Sequence, residues 1–368
     1  MNQKGLFSIG LGALLGTFSA QAQDSLVALA TFGNNGWLAP GNSGLVTGST
    51  DRGLAFADGE LYYASSSAIV EIDPNAGTDL GNLSVVGVSG GTFAVDSLAA
   101  GSDGTLYAGN LTTSATSPFK IYSYANPTSL GTAPTVAYSG NPLSGTTRLG
   151  DTLAAIGSGA STVLVAGSGG GTSGYEAINQ GSATYVAFSG GTPPTSGFSK
   201  AITLAGPGQV IGTGTSGLFY NTTYSGGTGT LVGGASVSIP DPNGNTADRI
   251  LSYNVLDGQA LLAVQSIGDS HVSLYNVSTP NSPVFIAELD NTVSPGANAN
   301  GTGQLAWGAV TDNADGSVSE TLYALGSGQG IQAFVVTVGE VPEPSTISMV
   351  VIGAGCVMFR LRRQVSAV

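Results

Sequence analysis

Gly53-Leu54-Ala55-Phe56-Ala57-Asp58-Gly59-Glu60-Leu61-Tyr62-Tyr63-Ala64, followed by Ile69-Val70-Glu71-Ile72-Asp73-Pro74, reads as three short strands in succession. Each run is apolar, β-branched or aromatic, and turn residues bound it. Asp58-Gly59 is the pair a two-residue hairpin asks for, because both central positions of that turn need positive φ. The theme returns as Ser97-Leu98-Ala99-Ala100, Asp103-Gly104, Leu106-Tyr107-Ala108 and Phe119-Lys120-Ile121-Tyr122-Ser123-Tyr124. Weaker copies lie around residues 149–165, 201–220, 251–275 and 305–338, with Asp257-Gly258 and Asp315-Gly316 at turns.

Aligning Tyr62, Tyr107, Val165, Ile211, Leu262 and Tyr323 sets the copies roughly 45 to 60 residues apart. Steps of about 45 to 50 residues suit the four-stranded blades of a β-propeller, where each blade buries its faces against its neighbours and the ring closes on itself. The expected fold class is therefore all-β, a β-propeller of six or seven blades, the longer steps leaving room for a seventh. The early strand Leu26-Val27-Ala28-Leu29-Ala30 would complete the last blade. A pair of β-sandwiches or a β-helix also fits short strands of this kind.

Composition agrees with the class. Of 368 residues 58 are glycine and only 8% are charged, which suits tight turns and short strands; no long amphipathic helix is visible. A hydrophobic share of 41% is ample for a buried core. The formal charge is −13, and the basic residues away from the two ends, Arg52, Lys120, Arg148, Lys200 and Arg249, are scattered. Phosphate binding needs clustered Lys and Arg, so no nucleic-acid partner is expected. The single cysteine, Cys356, lies in an apolar tail, so the folded part forms no internal disulfide.

Both ends read as addresses. Lys4, an apolar run from Leu6 to Phe18 and Ala20-Gln21-Ala22 match a signal peptide over residues 1–22, with the mature chain starting at Gln23. Residues 23–339 form the exported domain, and residues 340–368 carry three parts in order: Val341-Pro342-Glu343-Pro344, an apolar run from Ile347 through Val350, Val351 and Ile352 to Phe359, and Arg360, Arg362 and Arg363. The prolines hold the backbone extended, the apolar run can enter lipid as a single short transmembrane helix, and the arginines stay cytoplasmic. The run is short for a bilayer core, which suggests a transient anchor in the inner membrane.

That order of parts resembles the PEP-CTERM sorting signal. The resemblance implies an exosortase as partner, cleavage near Pro342-Glu343-Pro344, and delivery to the surface of a Gram-negative cell that makes exopolysaccharide. Residues 52–157, with Arg52-Gly53-Leu54-Ala55, Glu71-Ile72-Asp73, Phe119-Lys120-Ile121-Tyr122 and Arg148-Leu149-Gly150-Asp151-Thr152-Leu153, also resemble uncharacterised bacterial propeller-like proteins of a domain of unknown function. This second resemblance covers about a third of the chain and implies fold only.

Candidate chemistry is sparse. His271 is the only histidine, so a zinc site or a Ser-His-Asp triad would rest on it alone, and no nucleophile elbow accompanies it. No cofactor is called for, although Asp241, Asn243, Asn245 and Asp248 place oxygen-bearing side chains as a calcium loop does. Asp312-Asn313-Ala314-Asp315-Gly316 with Glu320 is a second such cluster, equally well read as turn chemistry. Glycines 169–171 and Gly212-Thr213-Gly214 lack a P-loop lysine and read as loops. The leading functional expectation is a non-enzymatic surface or matrix protein that binds a glycan or protein partner, with Trp37 and Trp307 as aromatic candidates. An extracellular hydrolase or lyase with carboxylates in a propeller channel, and a structural glycoprotein, are the alternatives.

Overall fold

The computed structural model describes residues 24–114, 116–141, 148–169, 174–179, 181–189, 198–199, 201–213, 218–234, 237, 248–279, 281–289 and 295–339. After the short β1 (Ser25–Ala28) and β2 (Trp37–Leu38), the chain makes successive antiparallel runs. These are β3 (Asp51–Ala57), β4 (Glu60–Ser65), β5 (Ala68–Ile72) and β6 (Asp79–Asn82); then β7 (Phe93–Ala100), β8 (Leu106–Leu111), β9 (Phe119–Tyr124) and β10 (Thr135–Gly140). Next come β11 (Arg148–Ile156), β12 (Val163–Gly169), β13 (Gly174–Asn179) and β14 (Ser182–Ser189), followed by β15 (Ala201–Gly206), β16 (Gln209–Thr213), β17 (Phe219–Ser225) and β18 (Thr228–Leu231). A short parallel pairing of β14 with β18 joins these two runs into one eight-stranded sheet. The series ends with β19 (Asp248–Leu256), β20 (Gln259–Ser266), β21 (Val272–Asn276) and β22 (Val284–Leu289), then β23 (Gly303–Asp312), β24 (Val318–Gly326) and β25 (Gly330–Val338). Helical structure among the described residues is confined to 3₁₀ turns at Gly159–Ser161 and Val232–Gly234, and none is long and apolar enough to cross a membrane.

The last sheet is completed from the start of the chain. β1 pairs antiparallel with β25, Leu26 opposite Val336, as the early apolar run predicts. The first strand of each run packs on the first strand of the next, and β23 returns to β3, so β3, β7, β11, β15, β19 and β23 surround a common axis. The arrangement is all-β and propeller-like. Asp24–Val338 forms one compact unit.

Side-chain alternation explains the ring. A strand sends successive side chains to opposite faces, and here both faces are interfaces with neighbouring sheets. Leu54 packs with Tyr63 and Leu325 on one side of β3, while Ala55 packs with Tyr62 and Leu98 on the other. The same leucine-then-small order recurs at Leu98-Ala99, Leu153-Ala154 and Leu305-Ala306, with Ile202-Thr203 and Leu251-Ser252 in the remaining two strands. Small residues are required where sheets converge on the axis. At Gly53 a Cβ would stand 2.8 Å from the Asp96 carbonyl oxygen.

Tyr62, Tyr107, Val165, Ile211 and Tyr323 all lie on second strands opposite the small residue. Leu262 is one position out of step: Ala263 stands opposite Ser252, and Leu262 faces the other interface. A one-residue slip exchanges faces, so spacing alone could not set this register. The turns need a similar correction. Asp58-Gly59 and Asp257-Gly258 have positive φ at both positions, as expected. At Asp103-Gly104 and Asp315-Gly316 only the glycine does, and the turn is longer: Gly101 donates to the Thr105 carbonyl and Asn313 to that of Ser317. Each Asp instead accepts the N–H two residues on, from Thr105 or Ser317.

Candidate functional site at the channel mouth

Because all six inner strands run the same way along the axis, their ends define the two ends of a channel. Gln304 of β23 divides it. Its Oε1 accepts the main-chain N–H of Leu54 (3.1 Å) and of Leu98 (3.2 Å). Its Nε2 donates to the carbonyls of Leu153 (2.8 Å) and Leu98. One side chain thus ties β23 to β3, β7 and β11 across the axis. It also satisfies edge groups that have no strand beyond them.

Beyond Gln304, toward the C-terminal ends of the inner strands, a cavity of about 380 Å³ opens. Its walls are inner-strand segments that include Phe56, Ala100, Ala155, Thr203 and Tyr253, and Ser102 and Asn254 stand at its mouth. The Tyr253 N–H donates to Thr203 Oγ1 (3.1 Å). Glu320 of β24 is buried against this wall and accepts a hydrogen bond from Asn254 Nδ2, which links β19 to β24. Burial pushes its carboxyl up to about 7, against the pull of that hydrogen bond. Among the described residues lining the cavity Glu320 is the one Asp or Glu, and no Lys, Arg or His joins it.

Below Gln304, at the N-terminal ends of β3, β7 and β11, lies a buried charge cluster. Arg52 Nη1 stands 3.2 Å from Asp151 Oδ1 and 3.6 Å from Asp96 Oδ1, its guanidinium 4.8 Å over the Phe93 ring. Arg148 also binds Asp151. Asp96 is left with no hydrogen-bond partner on either oxygen, and burial pushes its carboxyl up to about 8 in spite of Arg52. The Arg52 and Arg148 segments of the sequence therefore meet in a structural clamp.

The sequence candidates fall elsewhere. His271 Nδ1 faces Glu288 Oε1 (3.3 Å) and Asp269 Oδ2 (3.5 Å), and Ser273 Oγ donates to Glu288 Oε2 (2.8 Å). Serine and histidine thus share one carboxylate instead of bonding to each other as a triad does. Asp315 binds Ser317 inside its turn, and Glu320 belongs to the channel wall, so the second calcium cluster is divided between two environments. No group of three or more potential metal ligands forms among the described residues. Asp241, Asn243 and Asn245 lie outside the described residues, as does the side chain of Asp248. The signal peptide, Val341 to Pro344, the run Ile347, Val350, Val351, Ile352 to Phe359, and Arg360, Arg362 and Arg363 lie outside them as well. Trp307 lines the cavity; Trp37 does not, and its indole N–H donates to the Gln329 carbonyl (2.9 Å).

Sequence reasoning passed over Gln304, Asn254 and the wall position of Glu320. A signal for Gln304 existed: it precedes Leu305-Ala306 where the five matching strands carry Gly53, Ser97, Thr152, Ala201 and Ile250. A long amide in that slot is out of pattern.

No family model matches the chain, and no curated protein matches it in sequence. Solved structures do share the fold. A DUF4623 family protein from Bacteroides eggerthii is similar at 15% identity and a TM-score of 0.57, over 80% of this chain and 72% of that one. The major allergen Mala s 1 of Malassezia sympodialis is similar at 13% identity and a TM-score of 0.52, over 79% and 93%. At such identities the likeness concerns the fold alone.

Proposed function

We propose that this chain is an exported bacterial surface protein whose ring, counted as six blades closed by β1, binds a partner linked to exopolysaccharide without transforming it. The cavity at the channel mouth is its ligand side. The observation that carries this reading is the cavity's chemistry: polar walls with one carboxyl group among the described lining residues, Glu320, where glycoside cleavage ordinarily uses two. The terminal segments supply the address. β1 begins at Ser25, just past the expected signal-peptide cut, and β25 ends at Val338, just before Val341-Pro342-Glu343-Pro344. The ring is thus bounded by the two segments expected to be removed, with an exosortase cutting at the second after transient anchoring in the inner membrane.

The sorting step is tested by intact mass of the protein from the cell surface and medium, wild type against Pro342→Ala/Glu343→Ala/Pro344→Ala. Wild type is expected to lack both ends, and the variant to stay in the membrane at full C-terminal length. An intact C-terminus on released wild type would overturn the sorting reading. The hydrolase or lyase reading keeps one supporting observation, since a carboxyl near 7 suits a general acid. Incubation with native exopolysaccharide separates the two. Release of new reducing or unsaturated ends by wild type and not by Glu320→Gln would establish the enzyme; binding with no product supports the proposal.

A further inference from the structure

The walls of the cavity have a regular chemistry. In an antiparallel pair, every second residue turns its N–H and C=O away from its partner. The Asp58-Gly59 hairpin closes on the Ala57–Glu60 pair, so on β3 the outward-turned residues are Leu54 and Phe56. The same count from the Gly101–Thr105 bond gives Leu98 and Ala100 on β7. On β11 the outward Leu153 carbonyl fixes Leu153 and Ala155. Gln304 bonds to the first of each pair. The second of each, Phe56, Ala100 and Ala155, lines the cavity with main-chain groups that have no protein partner among the described residues.

We infer that this cavity takes a single uncharged sugar ring at the end of a glycan chain, an inference that rests on the binding reading above. A row of neutral N–H and C=O groups on three strands matches a ligand whose every hydroxyl both donates and accepts. Asn254 and Glu320 add an amide and a carboxyl on the opposite wall. An anionic sugar would meet no basic side chain among the described lining residues, in a chain of net charge −13. The volume, about 380 Å³, is at the small end of small-molecule sites. Because Gln304 spans the axis at the base, a polymer cannot thread through the ring and must enter by its end.

Saturation-transfer NMR and calorimetry on the full-length protein test this with hexoses, 6-deoxyhexoses, N-acetylhexosamines and uronic acids, followed by linear oligomers of each sugar that binds. The expected result is binding of an uncharged monosaccharide, with affinity counted per chain end staying constant as the oligomer lengthens. Ser102→Trp fills the mouth from an exposed position and is expected to weaken binding at least about tenfold; Asn254→Ala is expected to weaken it about fivefold, for one lost hydrogen bond. Thermal unfolding shows that each variant is folded, and Asn254→Ala decides if Ser102→Trp is not. Preference for a uronic acid, or affinity that grows with every added unit, overturns the inference. Native exopolysaccharide that binds with full affinity to both variants also overturns it, while leaving the surface-binding reading standing. Failure of every carbohydrate, native polysaccharide included, to bind would remove that reading too.

Discussion

Gln304 and Glu176 show opposite uses of a polar side chain inside this ring. Gln304 has its amide bonded to main-chain groups of three other strands, so Gln304→Leu leaves those groups without a protein partner. Water from the cavity can reach some of them, which limits the loss to about 2–4 kcal/mol. A urea midpoint lowered with unchanged slope is the expected signature; an unchanged midpoint would show that Gln304 does not tie the inner strands. Glu176, on β13, is buried with neither carboxylate oxygen partnered, and burial pushes it up to about 8. Its neighbours across the sheet are Ala166 and Tyr185, beside a cluster of Tyr138, Leu164 and Ile178. None of these described neighbours carries a positive charge. Glu176→Met is therefore expected to stabilise the protein by about 1–3 kcal/mol at pH 8.5 and by less near pH 4.5, where the buried carboxyl is neutral.

The β1–β25 pair is the element on which closure depends. β1 covers the free edge of β25, and Leu26 joins the cluster that holds Ile250, Leu305 and Phe334. Deleting residues 24–30 would expose the Phe334–Thr337 edge of β25 and open that cluster. The expected outcome is loss of a single cooperative unfolding transition and concentration-dependent association, read by scanning calorimetry and light scattering; a monomer with unchanged unfolding would show that the strand is dispensable. This element was legible in the sequence because an apolar run bounded by turn residues is a local signal, and so were the hairpins at Asp58-Gly59 and Asp257-Gly258. The register of Leu262 was not, since a repeat spacing cannot distinguish adjacent residues that face opposite interfaces. The site was less legible still. Its walls are main-chain groups of Phe56, Ala100 and Ala155, which any sequence supplies, and its base joins Gln304 to partners 151 to 250 residues away. Glu320 was noticed beside Asp315, its neighbour in sequence, whereas its hydrogen-bond partner Asn254 lies on another sheet.

For the whole molecule, the buried carboxyls set an unusual pH dependence. Asp96 and Glu176 are raised to about 8 and Glu320 to about 7, in each case chiefly by burial, and Asp51, Glu60 and Glu71 are raised by the same cause. A group whose pKa is higher folded than unfolded binds its proton more tightly in the folded state. Its contribution is whole below the unfolded value, near 4, and is lost as pH rises through the folded value, here 7 to 8. Asp103 and Asp315 are lowered by hydrogen bonds, from Gly159 and Ser317 first, and act the other way, losing their contribution as pH falls below about 4. The net charge of −13 at neutral pH adds self-repulsion in the same sense as the buried acids. Stability is therefore expected to peak at about pH 4–5 and to decline by a few kcal/mol toward pH 8, then level off. Urea midpoints at half-unit pH intervals check this on wild type. Glu176→Met should flatten part of the decline, because it removes one of the titrating groups, and a wild-type profile that rises between pH 5 and 8 would mean that these carboxyls are charged and paired in the folded ring.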